Sequence, residues 1–133
     1  MLIPFEGDLR PDEDYEGLRM AEAAFDEAAA GGCHFLGCSF VRTSFGGGRL
    51  RKSRFTDVSL REVRFVATDL AETGWQDTTL DGCALAGVQV DLRGATLGIT
   101  AGWESLRGVT IDSVQLVTLA PYLARHLGIT VAD

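Results

Sequence analysis

Three thiols, two imidazoles and a glycine run beside a basic pair are the residues of this chain that could do chemistry. Cys33, Cys38 and Cys83 are soft metal ligands with His34 close by in sequence. A structural zinc site needs about four ligands that converge, and no other histidine or cysteine is near enough in sequence to join them. Nucleophilic catalysis needs a serine or thiol held against a base. His34 and His126 are the only histidines, and Ser39 and Ser44 sit in no Gly-x-Ser-x-Gly setting. Gly46-Gly47-Gly48 precedes Arg51-Lys52 but forms no phosphate loop. The sequence therefore offers no catalytic residue, cofactor site or metal site, and the chain is expected not to be an enzyme.

What must position these residues is a repeat. Apolar residues recur every five positions, at Phe25, Ala30, Phe35, Phe40, Phe45, Leu50, Phe55, Leu60, Phe65, Leu70, Trp75, Leu80, Leu85 and Val90. With 46% of the chain apolar, chance gives all fourteen at roughly 10⁻⁵. Two residues before each centre stands a small or β-branched residue, for example Cys33, Cys38, Thr43, Ser53, Val63 and Cys83. Two inward residues separated by an outward one are local strand alternation. The remaining two residues turn a corner, where Gly37, Gly46, Gly47 and Gly82 fall. The thiols are then inward fillers of the repeat, while His34, Ser39 and Ser44 face outward.

The pattern resembles the pentapeptide-repeat family, whose five is a small residue, Asp or Asn, Leu or Phe, and two variable residues. Thr68-Asp69-Leu70 and Val90-Asp91-Leu92 are the nearest matches, and the resemblance covers about residues 18–111. It implies an all-β fold, a right-handed quadrilateral β-solenoid with four fives per coil. Residues twenty apart should then stack: Phe25 on Phe45, Phe65 and Leu85, and Phe35 on Phe55 and Trp75. The register slips by two after Leu85, from Val90 to Leu92 and Leu97. Gly98–Ser105 reads as irregular, and Leu106–Ile111 as a last wall.

The ends differ from the body. Residues 1–17 are acidic and contain Pro4 and Pro11, which suits an irregular flap over the first coil. From 112 to 133 the period becomes helical, giving a C-terminal cap. Leu116, Leu119, Leu123 and Leu127 share a face, Asp112 or Ser113 can cap the start, and Gly128 suits the stop. Pro121 predicts a kink or two short helices meeting at Ala120-Pro121. This tail resembles those of quinolone-resistance pentapeptide proteins of the Qnr and MfpA type, and Leu119-Ala120-Pro121 resembles a group of actinobacterial members. That resemblance implies a homodimer through the C-terminus, and the apolar surface of Leu116, Leu119, Leu123 and Leu127, with Tyr122 as an interface aromatic, supplies candidate interface residues.

Charge gives the remaining expectations. The formal net charge is −7, yet residues 33–67 hold seven bases and two acids between acidic flanks. Arg49, Arg51, Lys52, Arg54 and Arg64 belong either to a solvated solenoid wall with salt links to Asp57, Glu62 and neighbouring coils, or to a docking patch for an acidic partner or nucleic acid. No exposed aromatic interleaves these cations, so direct nucleic-acid binding is not expected. The expected function is a non-enzymatic binding scaffold of unknown partner; the alternative, implied by the resemblance, is a DNA mimic acting on DNA gyrase. No apolar run approaches the ~18 residues of a membrane span. Three cysteines without an export signal point to the reducing cytoplasm.

Overall fold

A computed structural model describes residues 2–85, 90–93, 97–101 and 108–133. The strands are β1 (Ile3–Pro4), β2 (Asp14–Glu16), β3 (Leu18–Ala21), β4 (His34–Leu36), β5 (Ser39–Val41), β6 (Arg54–Thr56), β7 (Ser59–Arg61), β8 (Gly74–Gln76), β9 (Thr78–Asp81) and β10 (Leu97–Ala101). One helix, α1 (Ser113–His126), follows. All pairings are parallel, and the ladders run β1-β3-β5-β7-β9-β10 and β2-β4-β6-β8.

The chain winds as a four-walled β-solenoid with a step of twenty residues. Tyr15, Phe35, Phe55 and Trp75 are matched on the first wall, and Met20, Phe40, Leu60 and Leu80 on the second. Single bridges Ala24–Ser44–Arg64–Ala84 mark the third wall, and Ala29–Arg49–Asp69 the fourth. Every centre from Phe25 to Leu85 is buried. Rings stack as the twenty-residue step requires: Phe35 and Phe55 have centroids 5.0 Å apart, Phe55 and Trp75 4.1 Å, Phe45 and Phe65 5.3 Å. The irregular flap expected over residues 1–17 is not what forms: β1 and β2 pair in register with β3 and β4, so the solenoid begins before the repeat centres read from Phe25 onward. Tyr15 stacks on Phe35 at 5.2 Å, and Phe5 lies 6.2 Å from Phe25.

The corners have one shared conformation. From Asp12 to Gly82 every fifth residue is left-handed, with φ between 45° and 73°. Five of these fifteen are glycine; the other ten include Arg42, Lys52 and Ala67. The small inward residues do more than fill space. The thiols of Cys33, Cys38 and Cys83 and the hydroxyls of Thr43, Ser53, Thr68 and Thr78 each donate to the carbonyl twenty-three residues earlier, one coil down. Each is a short side chain that ties its own coil to the one before.

Two expectations are corrected at the C-terminal end. The segment read as irregular from Gly98 begins within β10, which pairs with β9 (Leu97 to Thr78, Ile99 to Leu80) and shifts register between Ile99 and Ala101. Leu97–Ala101 carries no small-x-bulky five, so the period could not reveal a strand that pairing with β9 defines. Of the two outcomes expected at Pro121, two short helices are absent: α1 runs through it as one helix. Strong ends compensate. Asp112 and Gln115 form a reciprocal capping box at 2.8 Å. At the other end Gly128 (φ 72°) and Ile129 return bonds to Arg125 and Ala124.

Around the slip, Val90 and Leu92 are both buried, and Leu92 N–H donates to Thr110. Val88, residues 94–96 of the slipped register, and 102–107 of the irregular segment and last wall lie outside the described residues. Val109 and Ile111 pack against the core.

Candidate interaction surfaces

The residues with chemical potential are committed to structure. All three thiols are buried and donate to carbonyls. Desolvation pushes each above the ordinary thiol range, against the opposing backbone hydrogen bonds. A thiol held protonated is a poor nucleophile and a poor metal ligand. His34 faces out on β4 with Nε2 3.2 Å from the Thr56 hydroxyl, and His126 ends α1. Among the described residues no group of three metal-ligating side chains converges.

What remains is the outward surface, and its charge is sorted by height. Counting coils from the fourth wall, the tier of residues 9–28 holds seven acids and two bases, and 29–48 holds a single base. Residues 49–68 hold six bases and two acids; 69–88 hold four acids and no base. Some of these charges meet between tiers. Arg42 lies 3.0 Å from Glu22 below and 4.0 Å from Glu62 above. Arg51 pairs with Asp69 at 3.3 Å, and Lys52 with Glu72 at 4.0 Å. All are exposed, and such pairs contribute about 0–1 kcal/mol each.

The five bases of the expected docking patch divide. Arg49, Arg51, Lys52 and Arg54 wrap the corner between the fourth and first walls, while Arg64 lies on the third wall, opposite Arg54. Among the described residues Arg49, Arg54 and Arg64 make no ion pair. Asp69, Glu72, Asp77 and Asp81 are likewise spread, with Asp69 on the fourth wall, Glu72 and Asp77 at successive corners and Asp81 at the end of the second wall. Arg93 grips Asp91 at 2.7 Å, and that bond holds the Asp91 carboxyl down at about 2.

The second surface is apolar. In α1 only Leu119 is buried; Gln115 ties the helix to the body by donating to Leu92 at 2.6 Å. Leu123 is half-buried, whereas Leu116 and Tyr122 are each 51% exposed and Leu127 69%. Val114, Val117, Ile129 and Val131 add to the exposed apolar surface. The Arg125 guanidinium lies 6.0 Å from the Tyr122 ring centroid. This surface was legible as a leucine period; Val114 and Val117, off that face, were not singled out. Among the described residues no helix is long and apolar enough to cross a membrane.

The sequence matches the family described as Pentapeptide repeats (9 copies) over residues 16–64 and again over 30–74. No curated protein matches it. Among solved structures it is similar to a pentapeptide-repeat protein from the Arabidopsis thaliana thylakoid lumen, at 18% identity and TM-score 0.54, covering 86% of this chain and 74% of that one. It is also similar to HetL of Nostoc sp. strain PCC 7120, involved in heterocyst differentiation regulation, at 17% identity and TM-score 0.55. That match covers 77% of this chain and 41% of HetL. QnrB1, a plasmid-mediated fluoroquinolone resistance protein, aligns over 97% of this chain and 95% of that one at 16% identity. Its TM-score is 0.35.

Proposed function

Because this chain is a pentapeptide-repeat protein, we propose that it is a non-enzymatic binding scaffold that forms a homodimer through its C-terminal helix and works in the cytoplasm. The observation that carries this reading is the apolar surface of residues 114–131, anchored by Leu119 and otherwise largely open. Exposed apolar surface of this extent is a mark of an interaction site, and Tyr122 is the aromatic type enriched in interface cores. A second copy of the helix, packed on Leu116, Tyr122, Leu123 and Leu127, covers it. The solenoid then presents its outward charges on a rigid body. The three buried thiols support a reducing compartment.

Light scattering tests the dimer. The parent is expected at twice its 14.3 kDa chain mass in high salt, and Tyr122→Glu at the single-chain mass. A parent that remains a single chain reduces α1 to a cap.

The alternative, imitation of DNA on gyrase, needs acids continuous along the rod, since duplex DNA carries one charge per ~1.7 Å of axis. The tiered charge supports the scaffold reading instead, because one basic tier, residues 49–68, interrupts the acids. Supercoiling by gyrase is expected to be unaffected by the protein, with or without fluoroquinolone. Potent inhibition that disappears in the Asp77→Ala/Asp81→Ala variant would make gyrase the partner.

A further inference from the structure

The charge tiers are self-complementary on one wall. On the first wall the outward side chains are Asp14 and Glu16 on β2, His34 and Leu36 on β4, and Arg54 and Thr56 on β6. The corner leading into that wall carries Asp12, then Gly32, then Lys52. Acid lies at one level and base two strands away, roughly 10 Å along the axis. A row of low relief without acids, lysines or arginines separates them: Gly32 has no side chain, and His34 bonds to Thr56.

A two-fold axis lying across the wall at the level of β4 reverses the solenoid direction of a second copy. It brings each residue opposite its own column mate two tiers away. Asp14 then faces Arg54 of the partner subunit, and Asp12 faces Lys52 of the partner subunit; each pair occurs twice. Gly32, His34 and Leu36 meet their own equivalents at the centre. A closed, isologous contact of this kind is the usual solution for identical chains.

The other walls do not satisfy the same operation. On the second wall it places Arg19 against Ser59 and Ala21 against Arg61, with Glu22 against Glu62 at the following corner. The third offers Ala24 opposite Arg64. With mates two tiers apart in this way, the fourth wall sets Ala29 against Asp69, and among the described residues only the first wall and its entering corner match acid to base on two columns. Within one chain Arg54, Asp12 and Asp14 make no ion pair among the described residues, so these three charges are available.

We propose that this wall is a second self-association surface, pairing two copies antiparallel through Asp12–Lys52 and Asp14–Arg54 contacts. A single narrow wall buries less than the ~1,200 Å² of a standard interface, so the association is weak. It depends on exposed charges, so salt weakens it. It is independent of the C-terminal dimer, and the experiment is done in the Tyr122→Glu background to keep the two apart.

In that background the mass in solution is measured against concentration, at about 10 mM salt, where charges act over about 30 Å, and at about 1 M, where they act over about 3 Å. The expected result is a rise towards two chains at low salt and a single chain at high salt. Asp12→Lys/Asp14→Arg and Lys52→Glu/Arg54→Asp should each abolish association, and their equimolar mixture should restore it, because every facing pair is again opposite in sign. Far-UV circular dichroism checks that both fold; Arg54→Gln, the milder variant, should weaken association several-fold. A single chain at low salt, variants that associate like the parent, or a mixture that stays monomeric overturns the proposal. Retention of a labelled duplex DNA or a glutamate-rich peptide, lost in Lys52→Glu/Arg54→Asp while the parent stays monomeric, also overturns it, in favour of a different acidic partner.

Discussion

Gly37 and Ala67 hold the same left-handed corner conformation, with φ of 62° and 55°. A Cβ at Gly37 meets nothing within 4 Å, so substitution there isolates the backbone effect. Gly37→Ala should cost ~1 kcal/mol, and Ala67→Gly should gain somewhat less, since glycine also loosens the unfolded chain. Urea unfolding of both variants checks the opposite signs; equal signs would mean that φ does not set the corner energy. The thiols give a second prediction at this scale. Burial raises all three above their ordinary value of 9.0, so the unfolded chain loses these protons first. Their contribution to stability is present below that value and is lost as pH rises through the folded values. Stability should therefore fall above pH 9.0, less so in Cys83→Ser, and the native thiols should resist alkylation at neutral pH. In the sequence, glycines betrayed a few corners. The ten non-glycine corners were invisible, because a charged residue in an outward position looks the same with either sign of φ.

Elements here are strands of two to five residues that have no independent existence. Their centres supply the cohesion. Phe55, fully buried between Phe35 and Trp75, should cost ~3–5 kcal/mol when truncated to alanine, since the stacked columns cannot collapse into the gap. A melting curve like that of the parent would place Phe55 outside the core. The inward hydroxyls matter less. Thr68 donates to the Phe45 carbonyl at 2.7 Å, but that carbonyl also accepts from Gly48 N–H. Thr68→Val should therefore cost only ~0.5–1.5 kcal/mol. The period of five displayed these strands because core contacts are local to each five. It lost β10, whose position rests on pairing with β9 through a register shift. Local propensity at Pro121 allowed two short helices, whereas the capping box and the glycine stop hold α1 as one from both ends. The Leu-rich face was readable, but its degree of exposure was not, since that depends on how little of the helix the last coil can cover.

At the scale of the whole molecule, the alternation of charge along the axis is the least expected feature. Net charge concealed it, and summing acids and bases over twenty-residue tiers exposes it only once the four walls are known. The docking patch read from Arg49 to Arg64 as one run of sequence becomes a corner cluster plus a residue on the opposite wall, because each five turns the chain by a quarter. The ladder bonds carry a further consequence. They run along the axis, from each coil to the next, and β1 and α1 lie at opposite ends of the stack. Tension applied between the termini therefore loads the bonds of one coil at a time, peeling the body like a zipper. Each peeled coil releases twenty residues, about 70 Å of extended chain, for a loss of only ~4.8 Å of folded height. Stretching a single molecule should give evenly spaced steps of low force, and one abrupt rupture of the whole body would show that the coils fail together.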